Sequence, residues 1–189
     1  SLHDPLTGLA NRAAFRNVIN DLMKDETAQS HSALLFLDGD NFMLINDNWG
    51  HAAGDKGLIE VASRLMAFVG KQHQAWRLGG DEFALLQFDP GDGLDAATCA
   101  SRVQALFAQP FSFGADEIKV SASLGSIGGL LNAKVLPEWL RSASIALGEA
   151  KRRKHGQSVV FAAAMKEHSI DRVRLSNELR HVFEQDALR

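Results

Sequence analysis

The hydrophobic positions fall into two rhythms, one helical and one extended. Phe15, Ile19 and Leu22 recur at helical spacing after Asn11, a good N-cap, which predicts a first helix behind the turn-forming run Asp4-Pro5-Leu6-Thr7-Gly8. Polar residues from Lys24 to Ser32 interrupt the pattern. Ala33-Leu34-Leu35-Phe36-Leu37 then runs unbroken into Asp38-Gly39-Asp40, which reads as a strand buried on both faces that stops at acidic residues. Leu58, Val61, Ala62, Leu65 and Phe68 predict an amphipathic helix over about residues 54–69, with its apolar face against the sheet. Ala75-Trp76-Arg77-Leu78 and the apolar run from Phe83 to Phe88 flank Gly79-Gly80-Asp81-Glu82, a hairpin signal that puts two carboxylates at a tight bend.

Beyond a loop at Asp89-Pro90-Gly91, an Ala-rich helix through Val103, Leu106 and Phe107 ends before Pro110. Strands follow near 111–113 and 118–125, a helix runs over about 137–154, and Val159-Val160-Phe161 forms a short last strand. Leu175, Leu179, Val182 and Phe183 give one more amphipathic helix at the C-terminal end. Cys99, Trp139 and Trp76 fall on these elements as packing residues.

Composition narrows the class. A length of 189 residues fits one domain, and 46% hydrophobic with 23% charged residues is the make-up of a globular chain. No apolar run reaches the ~18 residues of a membrane span. A net charge of -3 supplies no general attraction for nucleic acid or for membrane phosphates, so anion binding has to come from a local cluster. The single Cys99 fits a reducing compartment, and a cytoplasmic location is the expectation. The chain opens at Ser1 without a basic-then-apolar leader and reads as a piece of a longer protein.

The acidic turns carry the candidate chemistry. Asp38 and Asp40 stand at the end of a buried strand, and Asp81 and Glu82 on a bend that can lie alongside. Carboxylates packed closely repel, so a site holding three or four of them needs a cation, and all-oxygen ligation suits Mg²⁺ held partly by substrate phosphates. Gly79 and Gly80 would let the backbone approach those phosphates.

Arg77-Leu78-Gly79-Gly80-Asp81-Glu82-Phe83 resembles the signature of the GGDEF family, the diguanylate cyclases, which condense two GTP into cyclic di-GMP. Asp4-Pro5-Leu6-Thr7-Gly8-Leu9-Ala10-Asn11-Arg12 is similar to the family's opening DxLTGLxNR segment. Asp38-Gly39-Asp40-Asn41-Phe42, Ile45-Asn46-Asp47 and Gly50-His51-Ala52-Ala53-Gly54-Asp55 resemble its DxDxFKxIND and GHxxGD elements. The resemblance covers about residues 3–161. It implies an α/β (α+β) fold in which a central, mostly antiparallel sheet is wrapped by helices, as in nucleotidyl cyclases and polymerase palm domains. It also implies a GGDEF domain over 1–161, and a C-terminal helix over 162–189 resembling a connector to a following EAL phosphodiesterase domain.

The same resemblance implies roles. Asp38, Asp81 and the Gly39 carbonyl would hold Mg²⁺ or Mn²⁺, and Glu82 would be a further ligand or would help take the proton from the attacking 3′-hydroxyl. Phe42, Asn46, Asp55, Gly79, Gly80 and Lys151 would line the GTP site, with Asn46 and Asp55 on guanine and Lys151 on phosphate. Asn46 has an alternative reading as a helix cap. GTP is the implied substrate, cyclic di-GMP the product, and a homodimer of such domains the catalytic unit, with no nucleic-acid or membrane contact by this segment.

Departures from the pattern matter. Met43 stands where the family places a Lys, and His155 where it places an Arg beside phosphate, while Ser144 and Gly148 replace an acidic and an aromatic residue. Arg is a permanently charged fork, whereas a His of ordinary pKa is mostly neutral at pH 7, so these exchanges thin the phosphate-binding charge. Gly70 and His73 occupy the positions of the family's RxxD product-inhibition site, which is therefore not expected here. Two functions follow: a diguanylate cyclase of weak activity or, alternatively, a non-catalytic GTP-binding domain that regulates an attached phosphodiesterase.

Overall fold

The computed structural model describes residues 1–70, 73–88, 95–154, 156–162 and 165. Helix α1 (Arg12–Lys24) starts where the sequence places it, with the Asn11 side chain accepting from the Ala14 amide. Strand β1 (Gln29–Gly39) begins earlier than the apolar run, because Gln29 to Ser32 pair with the end of a later strand. Helix α2 (Phe42–Trp49) was not anticipated. Only Phe42 and Ile45 of it are buried, a pattern too short to register as a period, and Gly50 at φ +86° separates it from α3 (His51–Val69). Strands β2 (His73–Gly79) and β3 (Glu82–Phe88) form the expected hairpin. Helix α4 (Ala96–Ala105) is capped by Asp95, whose carboxylate accepts from the Thr98 amide.

The expected strand over 118–125 is two elements. Strand β4 (Phe111–Phe113) pairs with β5 (Asp116–Ile118) in a small hairpin, and β6 (Ala122–Asn132) belongs to the main sheet. Between them Asp40 ties down the chain at Ser121. Helix α5 (Leu136–Arg152) and strand β7 (Ser158–Val160) complete the described chain. The His155 position and the amphipathic helix expected through Leu175 and Phe183 lie outside the described residues.

The main sheet has the order β2-β3-β1-β6-β7, antiparallel except for the β6–β7 pair. Its two faces are read off β1, where successive side chains alternate. Ala33, Leu35 and Leu37 pack with Val61 and Leu65 of α3 and with Cys99 and Val103 of α4, whereas Leu34 and Phe36 pack with Phe15 and Ile19 of α1 and with Leu136 and Leu140 of α5. The continuous apolar run is thus the sequence form of a central strand covered on both sides. Trp76 of β2 closes the second layer, its ring centroid 5.0 Å from that of Phe15. At Gly125 of β6, helix α5 lies on bare backbone: a Cβ there would stand 2.1 Å from the Leu147 amide nitrogen.

Candidate active site

The acidic residues meet where β1 leaves the sheet. Asp38 pairs across the ladder with Glu82, so the two share a face, and parity with Leu34 and Phe36 makes it the face covered by α1 and α5. The Asp38 side chain is only 8% exposed and forms an ion pair with the Lys151 ammonium, one turn beyond Leu147 on α5. Asp81 is held alongside, since the Gly39 amide donates to the Asp81 carbonyl at 3.1 Å. Burial first, and then the hydrogen bond and negative charge of Asp38, push the Asp81 carboxyl up to about 7, while Lys151 pulls it the other way. Two carboxylates sharing one ammonium form a donor set short of positive charge, and the Gly39 carbonyl lies at the same corner. That set fits a hard divalent cation.

Asp40 does not join them. Its carboxylate accepts from the hydroxyls of Ser121 at 2.8 Å and Ser123 at 2.6 Å and from the Gly156 amide at 2.8 Å. The expected convergence of both aspartates is therefore corrected. β1 ends at Gly39, the chain turns, and Asp40 stitches the strand end to the start of β6 and to the loop before β7.

The glycine bend is braced from outside. Gly79 and Gly80 take φ +145° and +50°, which side chains rarely adopt. Arg77 donates through Nε at 3.0 Å and Nη2 at 2.9 Å to the Gly80 carbonyl, and through Nη1 to both Asp4 carboxylate oxygens at 3.0 and 3.1 Å. Burial alone would raise the Asp4 carboxyl, but hydrogen bonds from Thr7 and Arg77 outweigh it and hold the group below its ordinary value. The opening motif thus serves as a strut under the hairpin, a role sequence alone did not disclose.

A second cluster lies along α2 and α3. The Phe42 ring is buried against Gly39 and Gly57, where any Cβ would run into it. Asn46 sits inside α2 rather than at its start, which removes the capping alternative. Its side chain lies over Gly54, whose Cβ would stand 1.8 Å from Oδ1, and that oxygen is buried without a hydrogen-bond partner. Asp55, next along α3, is exposed. Phe42 connects the two clusters by touching the glycines of both. Met43 points outward, 77% exposed. Gly70 ends α3 at φ +59° and His73 opens β2. Ser144 is buried and donates to the Leu140 carbonyl within α5.

An acidic pair at a sheet corner, a glycine hairpin and the Asn46 side chain laid over Gly54 between two helices match the nucleotidyl-cyclase-like domain that the motifs imply. The model of the family "Diguanylate cyclase, GGDEF domain" matches residues 1–157, and the chain belongs to that family. It is 57% identical over 111 residues, 59% of its length, to the diguanylate cyclase DgcN of Escherichia coli (strain K12), and 33% identical over all 189 residues to the bifunctional diguanylate cyclase/cyclic di-GMP phosphodiesterase MucR of Pseudomonas aeruginosa. These matches span 27% of either relative. Among solved structures, the GGDEF domain of PA1120 (TpbB or YfiN) from Pseudomonas aeruginosa superposes with a TM-score of 0.74 at 32% identity, covering 87% of this chain and 96% of that one. No described helix is long and apolar enough to cross a membrane.

Proposed function

We propose that this domain condenses two GTP into cyclic di-GMP, each of two facing copies contributing one bound nucleotide. The observation that carries the reading is the Asp38–Asp81 pair at the glycine bend, with Asp81 driven up to about 7 until a cation arrives. Asp38, Asp81 and the Gly39 carbonyl would hold Mg²⁺ or Mn²⁺, which when bound supplies positive charge for the developing alkoxide and the departing pyrophosphate. Asn46 and Asp55 accept from the guanine N–H groups, a pairing that adenine lacks, and the unpartnered Asn46 oxygen supports that assignment. Lys151 turns from Asp38 to a phosphate. Glu82, exposed at the start of β3, receives the proton of the 3′-hydroxyl as its oxygen bonds the α-phosphorus of the second GTP and the bond to the β-phosphate oxygen breaks.

The larger protein is expected to be cytoplasmic at this segment and to carry a phosphodiesterase domain beside it. The match to MucR over the whole chain supports this, since that relative's name joins both activities. A regulatory, non-catalytic role is the second reading, favoured by the outward-facing Met43 at the phosphate end of α2.

Incubation with GTP and Mg²⁺ or Mn²⁺ followed by nucleotide separation decides between them. The cyclase reading requires cyclic di-GMP above the level of an Asp81→Ala control. GTP binding by calorimetry with no product establishes the regulatory one.

A further inference from the structure

Arg12, the first residue of α1, lays its guanidinium over the glycine bend: Nη2 stands 2.9 Å from the point a Cβ on Gly79 would occupy. The group is half-buried, and no hydrogen bond or ion pair holds it among the described residues. A guanidinium is always charged and offers five donors, so withdrawing it from water without an acceptor is costly. Arg77, two residues before Gly79, shows the contrast, since its donors are taken up by Asp4 and the Gly80 carbonyl. Arg12 therefore has both the charge and the vacant donors of a binding group.

Its location says what it binds. α1 and α5 cover the same face of the sheet, the face on which Asp38 and Glu82 lie opposite each other. Lys151 reaches the acidic pair from α5, and Arg12 reaches the hairpin from α1, so one cation stands at Asp38 and another at the bend that leads into Asp81 and Glu82. A lone anion would be repelled by the carboxylates of the same corner. A phosphate chain that brings its own divalent cation would not, and a planar guanidinium is matched to two phosphoryl oxygens.

We propose that Arg12 is a phosphate-binding residue of this site, supplying at the Gly79-Gly80 bend the positive charge that Met43 does not supply at α2. The proposal rests on the reading of the site as a GTP site. Calorimetric titration of the wild type, Arg12→Gln and Arg12→Lys with GTP and with guanosine, each in Mg²⁺, tests it. In Arg12→Gln, GTP binding is expected to weaken about tenfold, the usual worth of a charge-assisted contact, with guanosine affinity unchanged. Arg12→Lys should keep part of the loss from appearing, and the thermal midpoint of Arg12→Gln should not fall below that of the wild type. GTP affinity within about twofold of wild type in Arg12→Gln, or a parallel loss of guanosine binding, overturns the proposal. Failure of the wild type to bind GTP at all overturns the reading of the site and Arg12's role with it, whereas wild-type binding with an unaltered variant removes Arg12 alone.

Discussion

The acidic corner and the contact between α2 and α3 treat their polar groups in opposite ways. At the corner, contacts made within the protein are numerous: Asp38 has Lys151, Asp40 has two serines and an amide, and Arg77 braces the bend. At the α2–α3 contact, the Asn46 oxygen is buried with no partner, and its neighbour Gly54 is kept bare beneath it. Arg12 apart, the corner holds its shape through its own ion pairs, whereas the α2–α3 contact keeps a buried acceptor without a donor. Order at one end and vacancy at the other are what a binding domain needs if its reacting groups are to be set before the substrate arrives.

The contrast can be broken most forcefully at Asp40. Asp40→Ala removes three short hydrogen bonds and leaves two hydroxyls and an amide without their acceptor, so unfolding free energy measured by denaturant titration should drop by about 3 kcal/mol. Its neighbour two residues earlier should behave otherwise, because Asp38 serves the site more than the fold. A smaller effect is expected at the α2–α3 contact. Gly54→Ala drives a methyl into Asn46 and should weaken GTP binding about tenfold by calorimetry, while the gain in helix propensity keeps the stability change within about 1 kcal/mol. An unchanged GTP affinity would show that Asn46 does not meet the nucleotide. The smallest effect sharpens the view of the corner. Lys151→Ala removes the ammonium from Asp38 and should tighten Mn²⁺ binding about threefold in the absence of nucleotide, while weakening that of GTP. Loss of both affinities together would mean that Lys151 only supports the local structure.

Much of this was legible in the sequence, for identifiable reasons. The central strand declared itself because both of its faces are covered, and the hairpin because two glycines separate two apolar runs. The pairing of Asp38 with Asp81 followed from the motifs around them. What escaped was whatever depends on partners far along the chain. Asp40 looks equivalent to Asp38 until Ser121, Ser123 and Gly156, 81, 83 and 116 residues away, are seen around it. Arg12 and Arg77 stood inside recognised motifs, yet the strut to Asp4 and the approach to Gly79 arise only once the opening segment pairs with the edge strand, Ala10 beside Trp76. Helix α2 was missed because eight residues with two buried positions leave too little periodicity to detect.

The bare backbone at Gly125 has a consequence for engineering this site. Because α5 rests directly on β6 there, the thickness of that contact acts as a spacer for everything further along the helix. A single methyl inserted at Gly125 would work as a wedge under a lever, and the far arm of that lever carries the Lys151 ammonium. The reach of the cation that pairs with Asp38 is calibrated by a residue with no functional group at all.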